Sequence, residues 1–367
     1  MSTKQSVWIE AIASCVPQRA YTQDFALEFM SGLPLYGDKE RNFLRRIYRD
    51  TGIARRHTVI EDYGKPVQEY EFFAPNESLL PEPAVAERNE LFVRHAETLS
   101  ARAVGALFDA HPHVRPQDVT HLITVTCTGF SAPGFDYQLV RRFSLSSSLH
   151  RYHIGFMGCY AGFPAMKLAH TICNADPSAR VLIVDVELCS LHFQFKPEAD
   201  TMVANSLFAD GAAAALVSTT VPLNGGYRLV DFCSRIITDS DEAMSWRLGN
   251  TAFDMRLSAY VPRLLQRDIG GIVAATMEAI GLSSSDVKLW AIHPGGRAIL
   301  DRVAEALQLP QHALQDSYAV LRDYGNMSSA TIFFVLQRML QNSGRGLVFA
   351  AAFGPGLTVE SACLERV

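Results

Sequence analysis

The sequence predicts an α/β fold made of two similar halves, each built on a largely covered sheet. Two observations carry this. Buried-type strands alternate with helical stretches along the chain. The second half then repeats the order of the first at one offset of 165–167 residues, which takes Cys127 to His293, Cys159 to Asn326 and Arg180 to Arg345. A fixed internal period of this kind marks a duplicated unit. The boundary falls near residue 222, giving an N-terminal half (1–222) and a C-terminal half (223–367).

Taken in order, the N-terminal apolar stretch is short and interrupted by Glu10, so it predicts a first strand and not a secretory signal. Residues 61–92 are rich in Pro and Glu but carry several aromatics, which predicts an irregular insertion wrapped over the surface. Residues 95–110 have helical periodicity, 121–126 are a β-branched run, 160–175 are helical again, and 181–186 are a buried strand. In the second half, helical 271–280 precedes a strand at 289–292. Helices follow over 298–308 and 327–341, and a last core strand over 347–352.

Of the 367 residues, 48% are hydrophobic and 19% charged, as expected for a protein with a large core. A net charge of -5 argues against a nucleic-acid or anionic-membrane binder. No apolar run approaches the roughly 18 residues of a membrane span, so a cytoplasmic protein is expected. Seven cysteines without CxxC or HExxH spacing argue against disulfides and structural zinc. No metal site is expected.

Strand and helix ends are where ligands sit in open α/β sheets. Cys127 and His293 follow equivalent strands, and Cys159 and Asn326 open equivalent helices. Duplication should bring all four toward one cavity. Cys159, after a glycine in GFMGCYAGFPAMKLA, sits where the helix dipole favours thiolate, the species that attacks a thioester. His293, in AIHPGG, can pair with that thiolate or donate Nε2–H to an oxyanion. Asn326, in YGNMSSA, is equally an N-cap or an amide donor to a carbonyl oxygen. Thiolate, imidazole and amide together are the set that decarboxylative Claisen condensation requires. Decarboxylation makes the carbanion, and two donors carry the enolate charge without a metal.

The segments GFMGCYAGFPAMKLA, SLFADGAAAALV, WAIHPGGRAILD, YGNMSSATIFFVL and FGPGLTVE resemble the chalcone synthase, or type III polyketide synthase, family in order and spacing over nearly the whole chain. That resemblance implies a thiolase fold, with duplicated βαβαβαββ halves forming a five-layered αβαβα sandwich. It also implies a homodimer, acyl-CoA starter and malonyl-CoA as substrates, and no bound cofactor. Cys159, His293 and Asn326 would be catalytic. Phe208 would be the gatekeeper between CoA tunnel and cavity, with Gly354 and Pro355 shaping the wall beside Ser328. Lys39, Arg45 and Arg49 would hold CoA phosphates.

Compared with plant members, Cys127 and Cys189 stand where threonines are found, and Leu191 and His192 replace a smaller pair. Ala132 replaces a methionine that reaches the neighbouring subunit. CTGFSAPGFD and WRLGNTAFDMRLSAYVP look more like bacterial members, several of which take fatty acyl starters and make alkylpyrones or alkylresorcinols. A small residue such as Ala132 would suit an apolar tunnel for a long chain. Two other readings share the residue set: a ketoacyl synthase III that works with acyl carrier protein, and a non-catalytic thiolase-fold partner or lipid-binding subunit.

Overall fold

A computed structural model describes residues 5–238, 240, 243–258, 260–310, 312–342 and 344–367. The first half runs β1 (Val7–Cys15), β2 (Ala20–Thr22), α1 (Gln23–Gly32), α2 (Asp38–Asp50), β3 (Arg55–His57), α3 (Val85–Ala110), β4 (His121–Thr126), α4 (Phe135–Arg142), β5 (His150–Gly155), α5 (Gly162–Ala175), β6 (Val181–Leu188), α6 (Ala199–Leu207) and β7 (Asp210–Ser218). The second runs β8 (Tyr227–Ile236), β9 (Met244–Leu248), β10 (Phe253–Leu257), α7 (Val261–Glu278), β11 (Leu289–Ile292), α8 (Arg297–Ala306), α9 (Gln315–Tyr324), α10 (Thr331–Leu340), β12 (Gly346–Gly354) and β13 (Thr358–Arg366).

The duplication is visible in the strand order. The first half is ordered β5-β4-β6-β7-β1, and the second β11-β12-β13-β8. Numbered by their counterparts in the first half, these read third-second-fourth-fifth-first and second-fourth-fifth-first. Among the described residues the second half lacks a counterpart of β5. The halves join at β1 and β8, which pair over only three positions, Val7 to Leu229, Trp8 to Arg228 and Ile9 to Tyr227.

Period-two alternation divides the core into three layers of side chains, because successive strand residues point to opposite faces. On β7, Ala212, Ala214 and Leu216 face the α3 side, while Ala213, Ala215 and Val217 face the middle. On β12, Val348, Ala350 and Ala352 face the middle, while Phe349, Ala351 and Phe353 face α7 and α8. The middle layer holds α5 and α10, packed between the two halves of one continuous nine-stranded sheet. Helix, sheet, helix pair, sheet and helix give the five-layered thiolase fold.

Helix α3 begins ten residues earlier than the periodicity predicts. The acidic residues that read as loop are its first turn: Glu87 accepts the Ala84 N–H at 2.6 Å and places negative charge at the helix start. The preceding segment is pinned by buried Asp62, which accepts backbone N–H groups of Glu71, Phe72 and Phe73 at 2.8–3.0 Å. Arg88 anchors the helix from inside. It is fully buried, pairs with Glu82 at 3.0 Å, and donates to the carbonyls of Pro83, Leu191 and Phe193. Removing one partner of such a buried pair leaves an uncompensated charge. Arg88→Ala is therefore expected to destabilise the fold by about 3–5 kcal/mol, read as a lowered denaturant midpoint.

Candidate active site

The turns that carry Cys159 and Asn326 are built alike. Gly158 has φ +82° and Gly325 has φ +76°, a region that glycine enters without steric cost. A Cβ at Gly158 would lie 2.5 Å from Pro355 Cδ, and one at Gly325 would lie 3.0 Å from the Leu207 carbonyl. Any larger residue would displace the functional side chain that follows. Asn326 is further clamped by the 207–209 segment: its N–H donates to Leu207 O and its carbonyl accepts from Ala209 N, both at 2.9 Å. That pairing also sets Phe208 beside it.

Cys159, His293 and Asn326 line one cavity. Its walls also include Cys127, Cys189, His192, Phe208, Ser328 and Pro355. The Asn326 amide is oriented by two contacts. Oδ1 accepts the Ser328 N–H at 2.9 Å and Nδ2 donates to Gly295 O at 3.2 Å. An amide nitrogen has two hydrogens, so one N–H remains to serve a second acceptor.

Among the described residues neither ring nitrogen of buried His293 has a hydrogen-bond partner, and burial pushes its pKa down to about 3. Its imidazole is neutral near pH 7. Burial likewise pushes the Cys159 thiol up to about 12, while hydrogen bonds from Ser328 and Asn326 pull the other way. This differs from the expectation from sequence of a lowered pKa just before α5: burial is the largest influence on this thiol and acts in the opposite direction. Thiolate then depends on a cationic neighbour, and His293 is the group in the cavity that can become one. If proton transfer to His293 stabilises the thiolate, His293→Gln shifts the pH midpoint of Cys159 alkylation upward by about one unit or more. Iodoacetamide rates against pH check this, and an unchanged midpoint rules the pairing out.

Cys127 and Cys189 are buried thiols whose pKa values burial raises well above the usual range. Cys127 donates to Glu187 Oε1 at 3.1 Å and touches Ser328 Oγ at 3.3 Å. Glu187 also accepts from Cys127 N–H, Thr128 Oγ and Ser329 Oγ. His192 is held by both nitrogens. Nδ1 accepts the Phe253 N–H at 3.1 Å, so Nε2 carries the proton and donates to Thr128 O at 2.7 Å. Burial pushes its pKa down to about 3, and its ring stacks on Phe253 at 4.0 Å. It is a fixed neutral wall.

Three expected cavity positions lie elsewhere. Leu191 packs in the core of the first half. Residues 189–192 form a 3₁₀ turn, whose period of three puts Cys189 and His192 on one side and Leu191 on another. Gly354 ends β12 against the Tyr160 ring, and Pro355 takes the cavity position. Ala132, in a loop with a cis bond to Pro133, lines a separate surface groove with Phe130 and Tyr137. Lys39, Arg45 and Arg49 are exposed on α2, with Arg45 bonded to Asn42 at 2.7 Å and Arg49 to Asp50 at 3.2 Å. Helix α2 packs on α6, the element that leads to Phe208.

The sequence reading missed the β9–β10 hairpin. Met244 and Trp246 from one strand, and Phe253, Met255 and Leu257 from the other, close one wall of the cavity. Their alternate spacing was the available signal. Trp246 Nε1 donates to the Cys127 carbonyl at 2.7 Å, which ties the hairpin to the first half. Trp246→Ala is expected to enlarge the cavity and shift products toward higher mass. An unchanged product profile by mass spectrometry would contradict this.

Fold and site together define a condensing enzyme of the thiolase type. The family descriptions "Chalcone and stilbene synthases, N-terminal domain" and "Chalcone and stilbene synthases, C-terminal domain" match residues 5–221 and 228–367. The chain belongs to this family of type III polyketide synthases, acyltransferases that use acyl-CoA substrates. It is 30% identical to "Alpha-pyrone synthesis polyketide synthase-like Pks18" of Mycobacterium tuberculosis, over 98% of this chain and 91% of that protein. The crystal structure of PKS-I from the brown alga Ectocarpus siliculosus is similar at a TM-score of 0.92 and 27% identity, covering 100% of both chains. The C-terminal type III polyketide synthase domain of Steely1 from Dictyostelium is similar at 0.91 and 25%, covering 99% of both. No helix among the described residues is long and apolar enough to cross a membrane, and no cluster of metal-ligating side chains occurs among them.

Proposed function

We propose that this chain loads an acyl-CoA starter on Cys159, extends it by decarboxylative condensation with malonyl-CoA, and cyclises the product to a pyrone, resorcinol or related aromatic polyketide. The observation that carries this is the convergence of a sulfur from one half with an imidazole and a carboxamide from the other on one cavity. Cys159 thiolate attacks the starter thioester and CoA thiol leaves. Malonyl-CoA then enters, with His293 Nε2–H and the Asn326 N–H that otherwise faces the Cys159 sulfur directed at its thioester oxygen. Loss of carbon dioxide gives an enolate that these donors stabilise. The enolate carbon attacks the Cys159-bound carbonyl, the sulfur leaves, and the chain is two carbons longer on CoA.

Phe208, set beside Asn326, acts at the boundary between this reaction space and the CoA passage. Lys39, Arg45 and Arg49 on α2 meet the CoA phosphates as that passage opens. A pyrone is the favoured product class, supported by the name of the Mycobacterium relative. Fatty acyl starters are the first to test. Since Ala132 lies outside this chain's own cavity, their tail must run along the apolar wall that includes the hairpin. The working enzyme is a cytoplasmic homodimer. The test is mass spectrometry of products from malonyl-CoA and a panel of short, aromatic and fatty acyl-CoA starters. Turnover with malonyl-carrier protein but not malonyl-CoA would overturn the assignment.

A further inference from the structure

We propose that Asp185, Ser329 and Glu187 form a proton relay behind the active site, in which Asp185 is a positioning residue that draws negative charge away from Cys159 as its thiolate forms. This rests on the reading of Cys159 as the nucleophile of the synthase and adds what lets a dehydrated thiol ionise.

Strand β6 points Val181 and Ile183 into the middle layer, and alternation places Asp185 and Glu187 next on that face. Both carboxyl groups are fully buried, where an apolar pair would avoid the cost of dehydrating charge. Ser329 Oγ stands between them, 2.9 Å from Asp185 Oδ1 and 2.7 Å from Glu187 Oε1. A hydroxyl has one hydrogen, so it donates to one of these oxygens and accepts from the other. One of the two carboxyl groups therefore carries a proton. Their other contacts say which. Glu187 also meets Cys127 N–H at 3.0 Å, Cys127 Sγ at 3.1 Å, Thr128 Oγ at 2.9 Å and Thr126 Oγ at 3.3 Å, all of them donors. Asp185 Oδ2 has no partner among the described residues. Burial and the Glu187 charge push the Asp185 pKa well above the usual carboxylate range. At rest the proton sits on Asp185 and the charge on Glu187.

That charge opposes the reaction. Burial is the largest influence holding the Cys159 thiol protonated, the Ser328 hydrogen bond works against it, and the Glu187 charge adds to it. The relay lowers this barrier. As Cys159 loses its proton, the Asp185 proton passes to Ser329 Oγ while the Ser329 proton passes to Glu187 Oε1. No atom is gained or lost, and the negative charge then rests on Asp185. Along β6, Asp185 lies two residues farther than Glu187 from the cavity residue Cys189, roughly 6–7 Å at the rise of a strand. Like charges repel less at the greater separation. The other titratable groups that feel Glu187 are Cys127 after β4, His153 on β5 and Cys189 after β6, with Asp210 at the head of β7 also acting on Cys189. The charged group acting on Asp185 is Glu187 itself.

The test follows iodoacetamide alkylation of Cys159 against pH in the full-length chain, read from the mass of the Cys159 peptide, with melting curves to confirm folding. Glu187→Gln removes the charge and should lower the alkylation midpoint by about one unit. Asp185→Asn keeps the size and the hydrogen bond to Ser329, but an amide does not release its proton. Glu187 then stays charged, and the midpoint should rise by about half a unit or more. The sign separates a relay from other roles. Loss of an ordinary buried anion lowers the midpoint, and loss of a neutral structural acid leaves it unchanged. Ser329→Ala cuts the same bridge, should also raise the midpoint, and decides the question if Asp185→Asn does not fold. A lowered or unchanged midpoint in either variant overturns the relay. A wild type whose Cys159 alkylates but which turns over no acyl-CoA with malonyl-CoA instead overturns the synthase reading.

Discussion

Cys159→Ala is expected to abolish acyl loading while leaving the fold intact. The residue sits in a cavity wall and not in the apolar interior, so loss of its sulfur removes little packing. Without that nucleophile no covalent intermediate forms. Incubation with acyl-CoA should add one acyl mass to the wild type and none to the variant. The other cavity thiols sharpen the test. Burial raises Cys127 and Cys189 well above the ordinary range, and the Glu187 carboxylate beside them raises them further. They stay protonated and should not substitute. Acyl mass appearing on Cys159→Ala would show that nucleophilicity resides elsewhere in the cavity.

Asn326→Asp is expected to slow malonyl-CoA decarboxylation by about 10²–10³, near 2.7–4 kcal/mol in barrier, with a smaller effect on starter loading. Aspartate is the informative change. It keeps an oxygen to accept the Ser328 N–H, the bond that fixes a residue at φ +47° next to Cys127, but it offers no N–H. Release of carbon dioxide without starter isolates this half-reaction. Equal losses in loading and decarboxylation would reassign Asn326 from oxyanion donor to cavity support.

The distant convergence of Cys159, His293 and Asn326 was legible because it follows from a repeated topology. Equivalent turns in two copies of one unit must meet across the pseudo-symmetry axis, whatever the intervening loops do. What was not legible depends on features that do not repeat. The β9–β10 hairpin does not fall on a strand of the first half at the offset that relates the halves, so no offset pointed to Trp246. Leu191 and His192 are neighbours in sequence, and only the tight 3₁₀ turn decides which of them meets substrate. Tyr21 reads as an ordinary strand residue, and its place in the cavity wall emerges only in the folded chain. The Cys159 environment was misjudged for a different reason. Sequence shows the helix start but not how little water reaches it, and dehydration is the largest influence on this thiol.

The seam of three residue pairs between β1 and β8 has a consequence for how the protein tolerates change. Each copy of the ancestral unit kept a different tool at the same address: sulfur in one, carboxamide in the other. Neither retains a spare. Separately produced fragments 1–222 and 223–367 should be inert apart and regain turnover only on reassembly, a complementation that would retrace the fusion of two once-identical partners.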